Sequence, residues 1–201
     1  MVLARYFDLL IVFLFGLIWI GIITFLRVKK KKSFVYLLFF TIFYVYFYKV
    51  LDYTLFQIQS LLLLKYFSPN LILKGQTAGK SLNLIPLVTL TLQDLTTSLL
   101  NILLFVPFGF GLPFITNLPM KKIVIFGALF SIAIEFLQWV TGFLANITFR
   151  IADINDVIFN TVGAAIGYIL FIAFMRIYRQ IYQNWGVSAN PILRYIAERQ
   201  T

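Results

Sequence analysis

The chain contains no cysteine and no histidine. Without cysteine there is no disulfide, no thiolate metal site and no cysteine nucleophile. Without histidine there is no Ser-His-Asp triad, no H-E-x-x-H zinc site and no histidine-ligated haem. Any catalysis would run on Asp, Glu, Lys, Arg, Tyr, Ser or Thr. Charge is scarce as well. Only 12% of the 201 residues are charged, and 61% are hydrophobic. An ordinary globular domain carries about 25% charged and about 45–50% apolar residues. That excess cannot be buried inside a ball of this size, and a disordered chain would lack apolar residues. The sequence therefore predicts one domain whose main solvent is lipid.

The few charges are unbalanced, 17 Lys and Arg against 7 Asp and Glu, a net charge of +10. No nucleic-acid module and no polar domain large enough to hold one accompanies them, so no nucleic-acid partner is expected. In a membrane protein, basic residues flank apolar runs and set orientation.

The first apolar run is Leu9 to Leu26, close to the length of about 20 residues that crosses a bilayer core. Asp8 before it, its length and the lack of an A-x-A site argue against a cleaved signal peptide. Arg27, Lys29, Lys30, Lys31 and Lys32 follow, a cytoplasmic anchor with an anionic-lipid role as its second reading. The second run starts at Phe34 and is rich in Phe and Tyr. It meets Lys49 and Asp52, three residues apart on one helix face, whose pairing would let the helix reach Phe56. Lys65 to Thr97 holds Ser68-Pro69-Asn70, Gly75, Gly79 and Pro86 and reads as a loop. A third span ends near Ile115, and Pro107 within it predicts a kink or a break. A fourth covers about Ile123 to Val140, and a fifth about Val157 to Met175. The tail mixes aromatics with Arg176, Arg179, Arg194 and Arg199 and reads as lying on the membrane surface.

The expected fold is all-α, a polytopic helical membrane bundle of about five transmembrane helices. Its parts are an N-terminal pair of spans (1–64), an outer loop (65–96), a helical core of spans three to five (97–175) and a cytoplasmic basic amphipathic tail (176–201). One side collects Arg27, Lys29 to Lys32, Lys121, Lys122 and the four tail arginines. The other collects Arg5, Lys49, Lys65, Lys74, Lys80 and Arg150. The positive-inside rule then puts the N-terminus out and the C-terminus in. A four-span version, with the second run interfacial, fits the charges less well.

Polar residues interrupt the last three spans in register. The third carries Asp94, Thr97 or Ser98, and Asn101; the fourth carries Ser131, Glu135 and Gln138. The start of the fifth carries Arg150, Asp153, Asp156 and Asn160, continued by Gly163 and Gly167 in steps of three and four. That is one stripe on one helix. A charge at bilayer depth costs at least about 2.5–3.5 kcal/mol, so these stripes should face one another. The expected result is a polar cavity at the outer leaflet built from Asn101, Glu135, Gln138, Arg150, Asp153, Asp156 and Asn160. Gly163 and Gly167 allow close helix approach. With Asp94 counted beside Glu135, Asp153 and Asp156, four acids against Arg150 would require protonation or a cationic ligand. Two plainer readings stand beside this one. Amides in membrane bundles often only join helices, and Asp153 and Asp156 could cap the fifth helix.

Several of these residues fall in a familiar order. Asn83-Leu84-Ile85-Pro86, then Asn101 through Pro107-Phe108-Gly109, then Glu135-Phe136-Leu137-Gln138, then Arg150-x-x-Asp153-x-x-Asp156-x-x-x-Asn160-x-x-Gly163-x-x-x-Gly167-Tyr168 resembles the VanZ-like membrane protein family. The resemblance spans residues 83 to 170, about the second half. It implies a bacterial multi-pass protein of the cell membrane. The named member of the family is associated with teicoplanin resistance, through reduced accumulation of the drug at the cell surface.

The expected function is low-level resistance to teicoplanin-type glycopeptides or lipopeptides, through an outward acidic pocket that binds an amphiphile. Its partners would be membrane lipids and a lipoglycopeptide, lipid headgroup or cell-wall precursor. An intramembrane enzyme acting on an envelope lipid or precursor, or a small transporter or flippase, are the alternatives. The enzyme would use paired acids or Mg2+, and the transporter a helix broken near Pro107, Gly109 and Gly111. No residue is assigned as catalytic and no cofactor is expected. Metal binding, the identity of the ligand and the oligomeric state stay open.

Overall fold

The computed structural model of the chain describes residues 2–56, 66, 82–87, 92–145, 151–185 and 190–199. Six α-helices carry the fold: α1 (Val2–Val28), α2 (Phe34–Leu51), α3 (Leu92–Gly111), α4 (Met120–Ala145), α5 (Ile154–Trp185) and α6 (Pro191–Ala197). Two short strands, β1 (Leu82–Asn83) and β2 (Ala152–Asp153), pair in parallel. Five stretches are long and apolar enough to cross a membrane: Asp8–Val28, Phe34–Phe56, Leu95–Phe114, Met120–Phe143 and Ile154–Gln183. The all-α, five-span reading therefore stands.

Local chemistry sets the helix ends. The Ser33 hydroxyl caps α2 by accepting from the Tyr36 N–H at 3.2 Å. At its far end Lys49 and Asp52 pair at 3.1 Å. A π-helical turn, Asp52–Phe56, then completes the second span. The chain from 57 to 65 lies outside the described residues.

Pro107 does not break α3, which continues through it to Gly111. Pro107 has no N–H to donate to Leu103, and its ring crowds that turn. In the same turn the Tyr46 hydroxyl of α2 donates to the Leu104 carbonyl at 2.8 Å. The helix gives way only at a 3-10 turn, Leu112–Phe114, with Pro113 inside it.

Helices α3 and α5 make the most extensive contact in the molecule. Glycine is what permits it. A Cβ on Gly163 would overlap the Ile102 carbonyl, one on Gly167 the Val106 carbonyl, and one on Gly109 the Ala164 carbonyl. The two backbones touch directly, as the small-residue stripe predicts. Helix α4 joins them through Gly127, where an added Cβ would sit 2.8 Å from that of Ala164. Phe105, Phe108, Ile134 and Ala164 form the core here, together with Val50 and Leu55 from the second span. A second core of Phe114, Ile123, Tyr168, Phe171 and Met175 closes the opposite end.

Helix α5 runs on to Trp185, ten residues past the expected end of the fifth span. Arginine is a good helix former, so Arg176 and Arg179 end the apolar run without ending the helix. The chain then folds back. Asn190 caps α6, accepting from the Ile192 N–H at 2.9 Å. The Tyr178 hydroxyl donates to the Leu193 carbonyl at 2.8 Å, and that of Tyr195 to the Phe114 carbonyl at 2.6 Å. Burial pushes the Tyr195 hydroxyl above its ordinary pKa, against the lowering pull of Arg199, so it remains a neutral donor. The end of the tail is thus docked on the bundle.

Candidate functional site

The polar stripes meet where α5 begins. Asp153 is the last residue of β2, directly before the helix. Its Oδ1 accepts from the Asn155 N–H at 2.8 Å, which makes it the N-cap of α5. The same oxygen accepts from Asn83 Nδ2 at 3.1 Å, across the register pair Asn83–Asp153. Asn83 Oδ1 in turn accepts from the Ile85 N–H at 3.2 Å, and Asn155 Oδ1 from the Leu87 N–H at 2.9 Å. Two asparagines and one aspartate therefore fasten the 83–87 turn onto the start of the helix. The turn holds Leu87 at φ 61°, a left-handed conformation uncommon for a residue with a side chain.

Helix α4 reaches the same corner. Glu135 is buried, at 8% exposure, and its Oε2 accepts from the Asp153 N–H at 3.0 Å. From α3, Asn101 Nδ2 donates to Asp156 Oδ1 at 2.6 Å. One turn deeper, Asn160 Nδ2 donates to Ser131 Oγ at 2.8 Å. The Asn160 Oδ1 is buried and has no partner among the described residues. The structure thus joins Glu135 to Asp153, Asn101 to Asp156 and Ser131 to Asn160, on α3, α4, α5 and the end of β2.

One expected member stands apart. Gln138 turns away: its Nε2 donates to the Thr54 carbonyl at 3.0 Å, tying α4 to the π-helical end of the second span. Gln138 is therefore a helix tie there, apart from the acidic corner. Arg150 lies outside the described residues. Asp153, Asp156 and Glu135 nonetheless share a compensating potential. They crowd the N-terminus of a 32-residue helix, where backbone dipoles favour negative charge. The acids therefore need less cationic help than their count against one arginine suggests. Among the described residues no group of three or more Asp or Glu is arranged to hold a metal ion.

Beside this corner lies a cavity of about 330 Å³. Leu84, Ile132, Phe136, Trp139 and Val157 give it apolar walls, and Glu135 and Asp153 line it as well. It spans β1, β2, α4 and the first turn of α5. Such a space accepts the apolar part of a molecule, with the hydrogen-bonded carboxylates of Glu135 and Asp153 behind its wall.

The same residues carry the motif order noted in the sequence. The VanZ/LLP1 family model matches residues 7–176. This chain belongs to the VanZ/LLP1 family. No curated protein and no solved structure matches it significantly. With five apolar helices, this VanZ family member is a multi-pass membrane protein. The match begins at residue 7 and so takes in the first two spans, which carry none of the polar motifs. Asn155 and Thr54 were not singled out in the sequence. The Asp153-x-Asn155 spacing at a helix start is a readable capping signal. Nothing in the sequence marks the Thr54 carbonyl.

Proposed function

We propose that this VanZ family protein sits in the bacterial cell membrane and binds an amphiphile with a cationic end at its acidic corner. In doing so it confers low-level resistance to teicoplanin-type glycopeptides or lipopeptides. The observation that carries the reading is the cavity itself, apolar in its walls and lined by Glu135 and Asp153. An acyl chain matches the walls, and an amine matches the carboxylates. By the positive-inside rule the distribution of basic loops favours an outer position for this corner, where such drugs arrive. The family name points the same way.

The alternatives draw less support. The transporter reading leaned on a broken third span, and α3 is continuous through Pro107. An enzyme would need a positioned nucleophile or a metal beside the acids.

Deletion and overexpression scored against teicoplanin test the function. Overexpression of the wild-type chain should raise the inhibitory concentration. Overexpressed Glu135→Gln and Asp153→Asn should fall back toward the deletion strain while still accumulating in the membrane. Full protection by both variants would refute the site. Unchanged susceptibility on deletion and overexpression would refute the function.

A further inference from the structure

The opposite end of the bundle carries a second, chemically reversed site. A polar cavity of about 480 Å³ opens between the loop after α1, the end of the 3-10 turn and α6. Lys31, Lys32 and Arg199 line it. The one carboxylate among its lining residues, Glu198, is paired with Arg194 at 3.0 Å. Among the described residues no carboxylate pairs with Lys31, Lys32 or Arg199. The Arg199 Nε is buried without a hydrogen-bond partner among the described residues.

The basic groups are fixed in place. Lys31 takes a left-handed turn at φ 51°, the Lys32 N–H donates to the Leu26 carbonyl at 3.1 Å, and Arg27 donates to the Lys32 carbonyl at 3.0 Å. Lys32 lies 4.6 Å from the centre of the Tyr36 ring, and Arg199 lies 4.2 Å from that of Tyr195. The Arg179 guanidinium donates to the Arg199 carbonyl and fixes the end of α6.

An apolar groove of about 360 Å³ adjoins this cavity. Phe39, Phe43, Pro107, Phe110 and Ile196 line it. Cavity and groove follow one another on three elements: Tyr36 then Phe39 on α2, Ile115 beside Phe114, and Tyr195 beside Ile196. From Phe39 to Tyr46 the groove follows about 10 Å of helix toward the bilayer interior. A cationic cup with an apolar groove beside it on the same three elements matches one molecule, a lipid with an anionic headgroup.

We propose that this end of the protein holds an anionic phospholipid. Its phosphate sits among Lys31, Lys32 and Arg199, and one acyl chain lies in the groove between α2 and α3. The site is independent of the outer acidic corner and stands whether or not that corner binds a drug.

Native mass spectrometry of the full chain in neutral detergent tests it, with equimolar phosphatidylglycerol and phosphatidylcholine of matched chains. Wild type should retain phosphatidylglycerol in preference. Lys32→Gln and Arg199→Gln should each lower that retention about fivefold, the surface attraction typical of one basic residue. Lys121→Gln, an exposed lysine outside the cavity, should leave it unchanged. Phe43→Trp should lower retention by filling the groove with every basic group intact. Lys32 is exposed, so its variant carries the test even if Arg199→Gln unfolds. Equal retention of the two lipids, or equal loss in Lys121→Gln, overturns the proposal. So does displacement of the lipid by excess inorganic phosphate, which would make this a site for soluble phosphate.

Discussion

Helix α1 and helix α5 are both long, apolar and glycine-bearing, yet the protein uses them in opposite ways. Gly16 and Gly21 of α1 have nothing within 4 Å of where a Cβ would stand, whereas Gly163 and Gly167 of α5 rest on the backbone of α3. Helix α1 leans on α2 through a few specific bonds. Trp19 Nε1 donates to Thr41 Oγ1 at 3.1 Å, and the Tyr44 hydroxyl donates to the Phe15 carbonyl at 2.8 Å. Phe15 meets the rings of Tyr44, Tyr48 and Phe56 beside them. Helix α5 is held by backbone contact along several turns and by the polar pairs at its start. In a lipid solvent, apolar burial hardly distinguishes a neighbouring helix from a lipid chain. Close packing and hydrogen bonds decide which helices belong together, and α3, α4 and α5 have both.

That contrast can be broken by substitution, measured as unfolding of the purified protein in detergent. The largest effect should come from Gly163→Ala. Its methyl meets the Ile102 carbonyl, so α3 and α5 must separate, at a cost beyond about 3 kcal/mol, the upper end of ordinary overpacking. Ser131→Ala comes next. It removes the partner of Asn160 Nδ2 in a residue whose Oδ1 already lacks one among the described residues, costing about 1–3 kcal/mol. Pairing it with Asn160→Leu should recover part of that loss, because no buried amide is then left over. Trp19→Phe removes one interhelical bond of α1 and should cost about 0.6 kcal/mol. Gly16→Ala should stay within about 0.5 kcal/mol of wild type. A Gly16→Ala cost as large as that of Gly163→Ala would erase the distinction between the two helices.

Much of this architecture can be read from residue order. Hydropathy marks all five spans, because a bilayer demands an uninterrupted apolar length. The three-and-four stepping of Asp153, Asp156, Asn160, Gly163 and Gly167 fixes one face of α5, and the costs of buried charge and of close packing turn it inward. Partner choice within the stripes is less legible. Gln138 shares a face with Glu135, yet it bonds the Thr54 carbonyl, which depends on how an irregular turn of α2 meets α4. The capping role of Asp153 is among the plainer readings the sequence offers, but the left-handed Leu87 depends on a parallel pairing between segments about 70 residues apart. Pro107 reads as a breaker in isolation, but tertiary packing carries the helix through it. Arg176 and Arg179 look like the end of a span because hydropathy weighs their charge and ignores their helical propensity.

The absence of cysteine makes occupancy of the outer cavity directly measurable. A single cysteine at Leu84, on the cavity wall, would be the only thiol in the chain. Its reaction with a membrane-impermeant thiol reagent can be timed in intact cells with and without teicoplanin, against Tyr53→Cys in the π-helical turn after α2. The drug should slow modification at position 84 and leave position 53 untouched. Equal rates at position 84 with and without the drug would contradict an amphiphile site lined by Glu135 and Asp153.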